Sequence, residues 1–220
     1  ARVRVLGIAQ DGGLPHAACS CERCEAARRD PDRRRHVASL AVILPHDDGR
    51  ERIWLVDATP DVIEQLHMLR DVRDAPEGRV DRAPVHGVLL THAHMGHYLG
   101  LAHFGFEATH TSELPVLCTA RMAAFLRENG PWSHLVEKRE IAIREITPGA
   151  PVELGAGVTA TAILVPHRDE FSDTVAFVLR GERQTVMYLP DTEPWDRWEQ
   201  QLPDVLRAHE VDVLLVDGTF

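Results

Sequence analysis

The hydrophobic positions of this chain fall into short runs that are separated by polar turns or by turns rich in glycine and proline. Most runs are too short for a helix and are rich in β-branched residues, which is typical of strands. The segments that predict strands are 2–9, 37–44, 52–56, 85–90, 114–118, 141–146, 158–165, 174–179, 185–189 and 211–216.

Helical patterns lie between these strands. The predicted helices are 22–29, a helix that begins at Thr59 as N-cap with Pro60 at its first position, a stretch starting near His97, 120–128 and 195–208. A charged loop over 71–82 separates the second helix from the next strand. Strands with interspersed helices and no linker predict a layered α/β or α+β fold, with one domain over 1–220.

Composition narrows the functional classes. The 220 residues are 44% hydrophobic and 26% charged, and 24 basic against 34 acidic residues give a formal net charge of −10. This acidic excess argues against nucleic-acid binding, and no apolar run approaches the roughly 20 residues that span a membrane. The expected partner is a small-molecule substrate, and a homodimer is left open.

Three histidines follow the buried strand 85–90: His92, His94 and His97. In an extended segment His92 and His94 point the same way, so both can bind one ion, while His97 lies where the chain turns into a helix. Neutral imidazole is a common zinc ligand, and a catalytic zinc ion has three protein ligands and an open water position. The spacing favours a metal site over a run of solvated histidines.

The segment Thr91-His92-Ala93-His94-Met95-Gly96-His97 resembles the H-x-H-x-D-H signature of the metallo-β-lactamase superfamily. Asp57, after Leu55-Val56, resembles the aspartate that buttresses the metal loop in that family. His167 falls where the family supplies the third histidine of the first metal site, and Asp191 falls where it has its bridging aspartate. The resemblance implies an αββα sandwich, with two mixed β-sheets face to face and helices on the outer faces.

Two branches of the family share further motifs with this chain. Gly12-Gly13-Leu14-Pro15 followed by Cys19, Cys21 and Cys24 resembles both coenzyme PQQ synthesis protein B and the phosphoribosyl cyclic phosphodiesterases. Ala58-Thr59-Pro60-Asp61 and the segment 215–219 look more like the first branch. The retained His92, His94 and His167 look more like the second.

Gly96 departs from the family signature, because the family has an aspartate at this place. The second metal site then keeps only His97 and Asp191, and the family's last histidine would lie after Phe220, where the C-terminal part of the family fold is expected. The resemblance therefore implies one active-site zinc ion at His92, His94 and His167, with a weak or empty second site. Manganese and iron are the alternatives to zinc.

The cysteine trio Cys19, Cys21 and Cys24 predicts a structural zinc site, because short cysteine spacings in loops are typical of thiolate metal sites. In the phosphodiesterase branch a C-terminal histidine is the fourth ligand. His16 and Cys118 are the candidates for that place here. Thiolate sites fit a reducing cytoplasm, although the chain begins with Ala1 and a removed leader remains an alternative.

These patterns predict a metal-dependent hydrolase that cleaves a phosphodiester or another ester-like bond through a metal-bound hydroxide. In this hypothesis Asp191 orients or deprotonates the water, and His97 binds a weak second ion or hydrogen-bonds the leaving group. Two alternatives stay open. One is an iron-dependent oxidative step linked to PQQ biosynthesis, and the other is a non-catalytic metal-containing protein that binds a small molecule.

Overall fold

The structure is a computed structural model that describes residues 1–72 and 83–218. Most of the predicted charged loop 71–82 lies outside the described residues, as do Thr219 and Phe220. Eleven strands are found in the described part of the chain: β1 (Arg2–Gly7), β2 (Ser39–Pro45), β3 (Glu51–Val56), β4 (Gly87–Leu89), β5 (Leu114–Cys118), β6 (Ile141–Glu145), β7 (Pro151–Gly155), β8 (Val158–Leu164), β9 (Val175–Arg180), β10 (Thr185–Leu189) and β11 (Val213–Val216).

The strands form two mixed sheets. The first has the order β1-β2-β3-β4-β5-β6, with antiparallel pairing from β1 to β3 and parallel pairing from β3 to β6. The second has the order β11-β10-β9-β8-β7, antiparallel except for the parallel pair β10 and β11. Side chains from both sheets, including Trp54, Leu117, Ala162 and Phe177, are buried in one apolar cluster between them.

Helices cover the outer faces of the sandwich. The helices in the described residues are α1 (Glu22–Arg29), α2 (Val62–His67), α3 (Met95–Tyr98), α4 (Ala120–Glu128), α5 (Trp132–Glu137) and α6 (Leu202–Ala208), with 3-10 turns at Pro31–Arg33, Leu99–Phe104 and Trp195–Arg197. Apolar residues of α2, α4 and α5 pack on the outer face of the first sheet, and those of α6 pack on the second. The predicted αββα sandwich is confirmed.

Element boundaries show where the sequence prediction was wrong. The second helix begins at Val62 after Asp61, because the Thr59 hydroxyl accepts from the Asp61 amide and donates to Gln65 Oε1 in a turn before the helix. The predicted helix 195–208 is split into a 3-10 turn and α6, since Pro203 fits only the first turn of a helix.

Two elements were not predicted from the sequence. Strand β7 is a short edge strand that begins with Pro151 and ends with Gly155, two residues that weaken a strand pattern. Helix α5 follows Pro131 and has only six residues, which is too short for a clear helical period. No helix in the described ranges combines the length and apolar character needed to cross a membrane.

Candidate metal centre

The predicted ligands meet at one edge of the sandwich, where strands from both sheets end. Asp57 follows β3 and His92 follows β4, and these two strands are parallel neighbours. His167 follows β8 and Asp191 follows β10, which run in the same direction because both pair antiparallel to β9. A hydrogen bond from the Val175 amide to the Thr91 carbonyl, 3.1 Å, joins the two edges.

Four donors face a common point: His92 Nε2, His94 Nδ1, His167 Nε2 and Asp191 Oδ2. The His92–His94 distance between these nitrogens is 2.9 Å and the His94–His167 distance is 3.1 Å. The Asp191 oxygen lies 3.3 Å from the His92 nitrogen and 3.6 Å from the His167 nitrogen. Tetrahedral zinc with bonds of about 2.0–2.1 Å would space its donors roughly 3.3–3.4 Å apart, so the residues fit such an ion.

Hydrogen bonds on the far side of the rings set their tautomers. The Thr91 hydroxyl lies 3.0 Å from His92 Nδ1 and also contacts the Asp57 carboxylate, so it can accept from His92 and donate to Asp57. Glu170 Oε2 lies 3.0 Å from His94 Nε2. Both contacts leave the inward nitrogen with a free lone pair, which is the arrangement that outer carboxylates and hydroxyls give to metal-binding histidines.

Asp57 connects Thr91 and His97 on the buried side of the site through hydrogen bonds. It is 0% exposed, adopts φ +67°, and its Oδ2 lies 2.7 Å from His97 Nδ1. A non-glycine residue with positive φ is a strained conformation that persists where surrounding contacts hold it. Here the Thr91 amide donates to Asp57 Oδ1 and the Asp57 amide donates to the Leu89 carbonyl.

A second group of donors lies beside the first: Asp11, His97 and Asp191. His97 Nε2 is 3.4 Å from Asp11 Oδ1 and 3.3 Å from Asp191 Oδ2. His97 and Asp191 are the two residues expected at the second site, and the loop after β1 places the Asp11 carboxylate beside them. Asp191 belongs to both groups.

The charges of the site suit cation binding. Burial, together with the neighbouring His97, lowers the pKa of His92 to about 3, and burial also lowers the pKa of His167. Burial alone would raise the pKa of Asp191, but contacts with His92 and His97 hold it well below its usual value. Neutral imidazoles next to an ionised carboxylate are the ligand states that a divalent metal requires.

The cysteine trio is also assembled. The sulfur atoms of Cys19, Cys21 and Cys24 lie within 4.8 Å of one another, in the loop before α1 and its first turn. The ring of His16 is not part of this group among the described residues; it lies against Gly12, and only the His16 amide donates to Cys24 Sγ, at 3.3 Å. Cys118 is buried in the core on β5 and does not belong to the group of three sulfur atoms.

A cavity of about 230 Å³ opens beside the second group of donors. Asp11, His97 and Asp191 line it together with residues of β1, β10 and β11, and most of its lining is apolar. The Tyr188 hydroxyl is buried and meets no hydrogen-bond partner in the described part of the chain.

Sequence reasoning found His92, His94, His97, His167, Asp57 and Asp191, and the structure brings all six together. It missed Asp11, Thr91 and Glu170. Asp11 carries a weak signal, since it directly follows the first strand and precedes two glycines. Glu170 carries no signal, because it reaches His94 only through the fold.

A family model described as beta-lactamase superfamily domain matches residues 52–220. Coenzyme PQQ synthesis protein B of Rhodopseudomonas palustris strain BisB5 is 31% identical over 172 residues, which are 76% of this chain and 53% of that protein. The protein of the same name from Cupriavidus necator is 29% identical and covers 99% of this chain and 73% of the relative. The chain thus spans about half the length of the first relative.

Two solved structures are similar in fold to most of this chain. Zn²⁺-bound PqqB from Methylobacterium extorquens is 25% identical, with a TM-score of 0.78. The match covers 99% of this chain and 72% of the PqqB chain. A diphosphatase from the PhnP family is 21% identical with a TM-score of 0.59, over 85% of this chain and 63% of that one. The second likeness shows the shared fold alone.

Proposed function

The chain belongs to the metallo-β-lactamase superfamily and is PqqB-like, and from this membership we propose that it is a metal-dependent hydrolase of a phosphodiester or another ester-like bond. The observation that carries the proposal is the convergence of His92 Nε2, His94 Nδ1, His167 Nε2 and Asp191 Oδ2 on one point. Three imidazoles and one carboxylate form a ligand set of the kind that hydrolytic zinc sites use.

A zinc ion bound there would supply Lewis acidity and lower the pKa of a water ligand to about 7. The protein's part is to hold and orient. Thr91 and Glu170 fix the rings of His92 and His94 from behind. Asp191, ionised and partly exposed, is placed to accept a hydrogen bond from an attacking water and so to aim it at the substrate.

His97 has two candidate roles in this function. Its Nε2 faces Asp191 and the cavity, so it can donate a hydrogen bond to the departing oxygen of the substrate. The same nitrogen can instead bind a second cation together with Asp191. Burial alone would lower the pKa of His97, but Asp57, Asp11 and Asp191 outweigh burial and raise it well above its usual value.

The mouth of the site carries a cation that suits an anionic substrate. Arg168 follows His167 directly, is mostly exposed, and lies 3.8 Å from Glu170 Oε1, while Glu170 in turn contacts His94. A guanidinium at this position can contact phosphate oxygens, which favours a phosphodiester over an uncharged ester.

The test measures hydrolysis of bis(4-nitrophenyl) phosphate and 4-nitrophenyl acetate by protein reconstituted with Zn²⁺, Mn²⁺ or Fe²⁺. We expect turnover of the diester and a loss of at least about 100-fold in His92→Ala, because losing a direct ligand should cost more than losing an outer contact. His67→Ala is the matched control, since His67 is exposed on α2. Full activity in His92→Ala would remove the mechanism.

A second candidate is supported by the similarity to coenzyme PQQ synthesis protein B over 99% of the chain. In that hypothesis the same donors hold iron for an oxidative step in PQQ biosynthesis, since histidines with a carboxylate also bind non-haem iron. Hydrolysis is independent of oxygen, so a comparison of aerobic and anaerobic reactions with Fe²⁺-loaded protein separates the two functions.

A further inference from the structure

Gly96 stands where the family signature has an aspartate, and the space beside it is already filled. A Cβ atom added to Gly96 would lie 2.3 Å from Asp11 Oδ1 and 2.8 Å from Asp11 Cα. No side chain fits at 96 unless the loop after β1 moves, because the second contact is with backbone. The carboxylate of Asp11 thus occupies the place of the side chain that Gly96 lacks.

We propose that Asp11 supplies the carboxylate missing at Gly96, and that Asp11, His97 and Asp191 bind a second divalent cation. The centre would then hold two ions, one on each group of donors. This proposal concerns the same site as the proposed hydrolase, but it is a statement about ion binding and holds whatever bond is cleaved.

The geometry of the three donors supports a cation between them. Nε2 of His97 lies 3.4 Å from Asp11 Oδ1 and 3.3 Å from Asp191 Oδ2. Its Nδ1 lies 2.7 Å from Asp57 Oδ2, so the Nδ1 proton is held there and Nε2 is left to face the two carboxylates. A carboxylate behind the ring and a metal in front is a common arrangement for a ligating histidine.

Charge supports the same conclusion. Asp11, Asp57 and Asp191 surround one imidazole, and their side-chain contacts in the described ranges are with histidines and Thr91. Even a protonated His97 would leave three carboxylates with one positive charge. A divalent cation between Asp11 and Asp191 would reduce this repulsion.

An independent observation comes from the cavity next to the cluster. Tyr188 lines the cavity together with Asp11, His97 and Asp191, and its buried hydroxyl lacks a hydrogen-bond partner among the described residues. Buried hydroxyls are almost always hydrogen-bonded. A hydrated cation in this cluster would bring water to the cavity and give the hydroxyl a partner.

Asp191 ties the two ions together. Its Oδ2 lies 3.3 Å from His92 Nε2 and 3.3 Å from His97 Nε2, so it can bridge the two groups of donors. Ions that share a ligand in two-metal sites are about 3.5–4 Å apart. At that distance two Mn²⁺ ions interact magnetically, which gives a readout that does not depend on turnover.

The experiment loads metal-free protein with Mn²⁺ and measures bound ions by equilibrium dialysis and their coupling by electron paramagnetic resonance. Manganese is chosen because it prefers carboxylates and imidazoles to the thiolates of the cysteine trio. We expect two coupled ions in the wild-type protein and one uncoupled ion in Asp11→Asn. Asp48→Asn, on an exposed turn away from the site, is the matched control and should keep both ions.

Gly96→Ala is a second variant that alters no donor. Its Cβ would displace Asp11, so we expect it to lose the second ion as well, and circular dichroism would verify that both variants are folded. A single ion in the wild-type protein at saturating Mn²⁺, or a coupled pair that survives in Asp11→Asn, would overturn the proposal. Two ions in a protein that cleaves no ester would leave this proposal standing and remove only the hydrolase.

Discussion

At the scale of single residues, the proposed metal centre depends on side chains that lie outside its set of ligands. Thr91 is 1% exposed, and its hydroxyl lies between His92 Nδ1 and the Asp57 carboxylate. This hydroxyl thereby favours one tautomer of His92 and helps to hold the Asp57 carboxylate in place. Outer contacts of this kind tune metal affinity as well as stability.

Thr91→Val should therefore weaken both properties. We expect metal affinity at the first site to fall about 10–100-fold and stability to fall by about 1–3 kcal/mol, because His92 Nδ1 is left buried without a partner. Thr111→Val is the matched control, since its buried hydroxyl lies within hydrogen-bonding distance of the carbonyls of Phe104 and Glu140, which are not part of the site. The control should lose stability but keep metal affinity, as measured by urea unfolding and metal titration; equal affinity in both variants would contradict the role of Thr91.

The cysteines differ enough for a chemical test. Hydrogen bonds from the Cys24 amide and the neighbouring thiols lower the pKa of Cys21 to about 7, whereas burial raises the pKa of Cys118 to about 12. Near pH 7.5 metal-free protein should be alkylated at Cys21 and spared at Cys118, because the thiolate is the reactive form. Bound Zn²⁺ should protect Cys21 if the trio is a metal site. Peptide mass spectrometry after iodoacetamide checks this, and an alkylation rate unaffected by Zn²⁺ would argue against the cysteine site.

At the scale of elements, close backbone packing supports residues 91–97, which carry three histidines of the proposed metal centre. The 3-10 turn Leu99–Phe104 lies against the segment after β3, with the Gly100 amide donating to the Ala58 carbonyl and the Ala58 amide donating to the His97 carbonyl. A Cβ at Gly100 would lie 2.1 Å from the Thr59 carbonyl oxygen. Only glycine allows the two backbone segments to come this close. Their contact fixes the position of His97 relative to Asp57.

Gly100→Ala should push the turn away from the Asp57 segment. We expect a loss of about 1–3 kcal/mol in the free energy of unfolding, the usual cost of overpacking, and weaker binding of metal at His97. Gly181→Ala is the matched control, because its Cβ would make only ordinary contacts at 3.5 Å or more. Unfolding in urea measures the difference, and equal stability of the two variants would refute the packing argument.

At the scale of the whole molecule, the sequence predicted most strands and the layered architecture because their apolar runs are continuous. The sequence did not predict β7 or α5, because proline and short length obscure their hydrophobic periodicity. It also predicted one helix over 195–208, where the structure has a 3-10 turn followed by α6. In the site, the resemblance supplied His167 and Asp191 from distant strands. Asp11 could not be found in this way, because its meeting with Gly96 depends on how the loop after β1 folds over the metal loop.

The acidic balance of the chain also bears on the site. The chain has a net charge of −10, and three carboxylates lie around His97. Cation binding at this place should therefore stabilise the whole fold. A ligand at 100 times its dissociation constant adds about 2.7 kcal/mol of stability by mass action. We expect Mn²⁺ to raise the melting temperature of the wild-type protein and to raise it less in His92→Ala, in differential scanning calorimetry. An equal rise in both would show that the ion binds elsewhere.

The central claim is that two histidines after β4 and one after β8 bind a single cation. An anomalous-scattering map from crystals grown with Zn²⁺ tests it most directly. We predict a peak about 2.0–2.1 Å from His92 Nε2, His94 Nδ1 and His167 Nε2, with a face open to solvent. A map without a peak at these three nitrogens, or coordinates in which the His167 ring is turned away from the other two, would contradict the account.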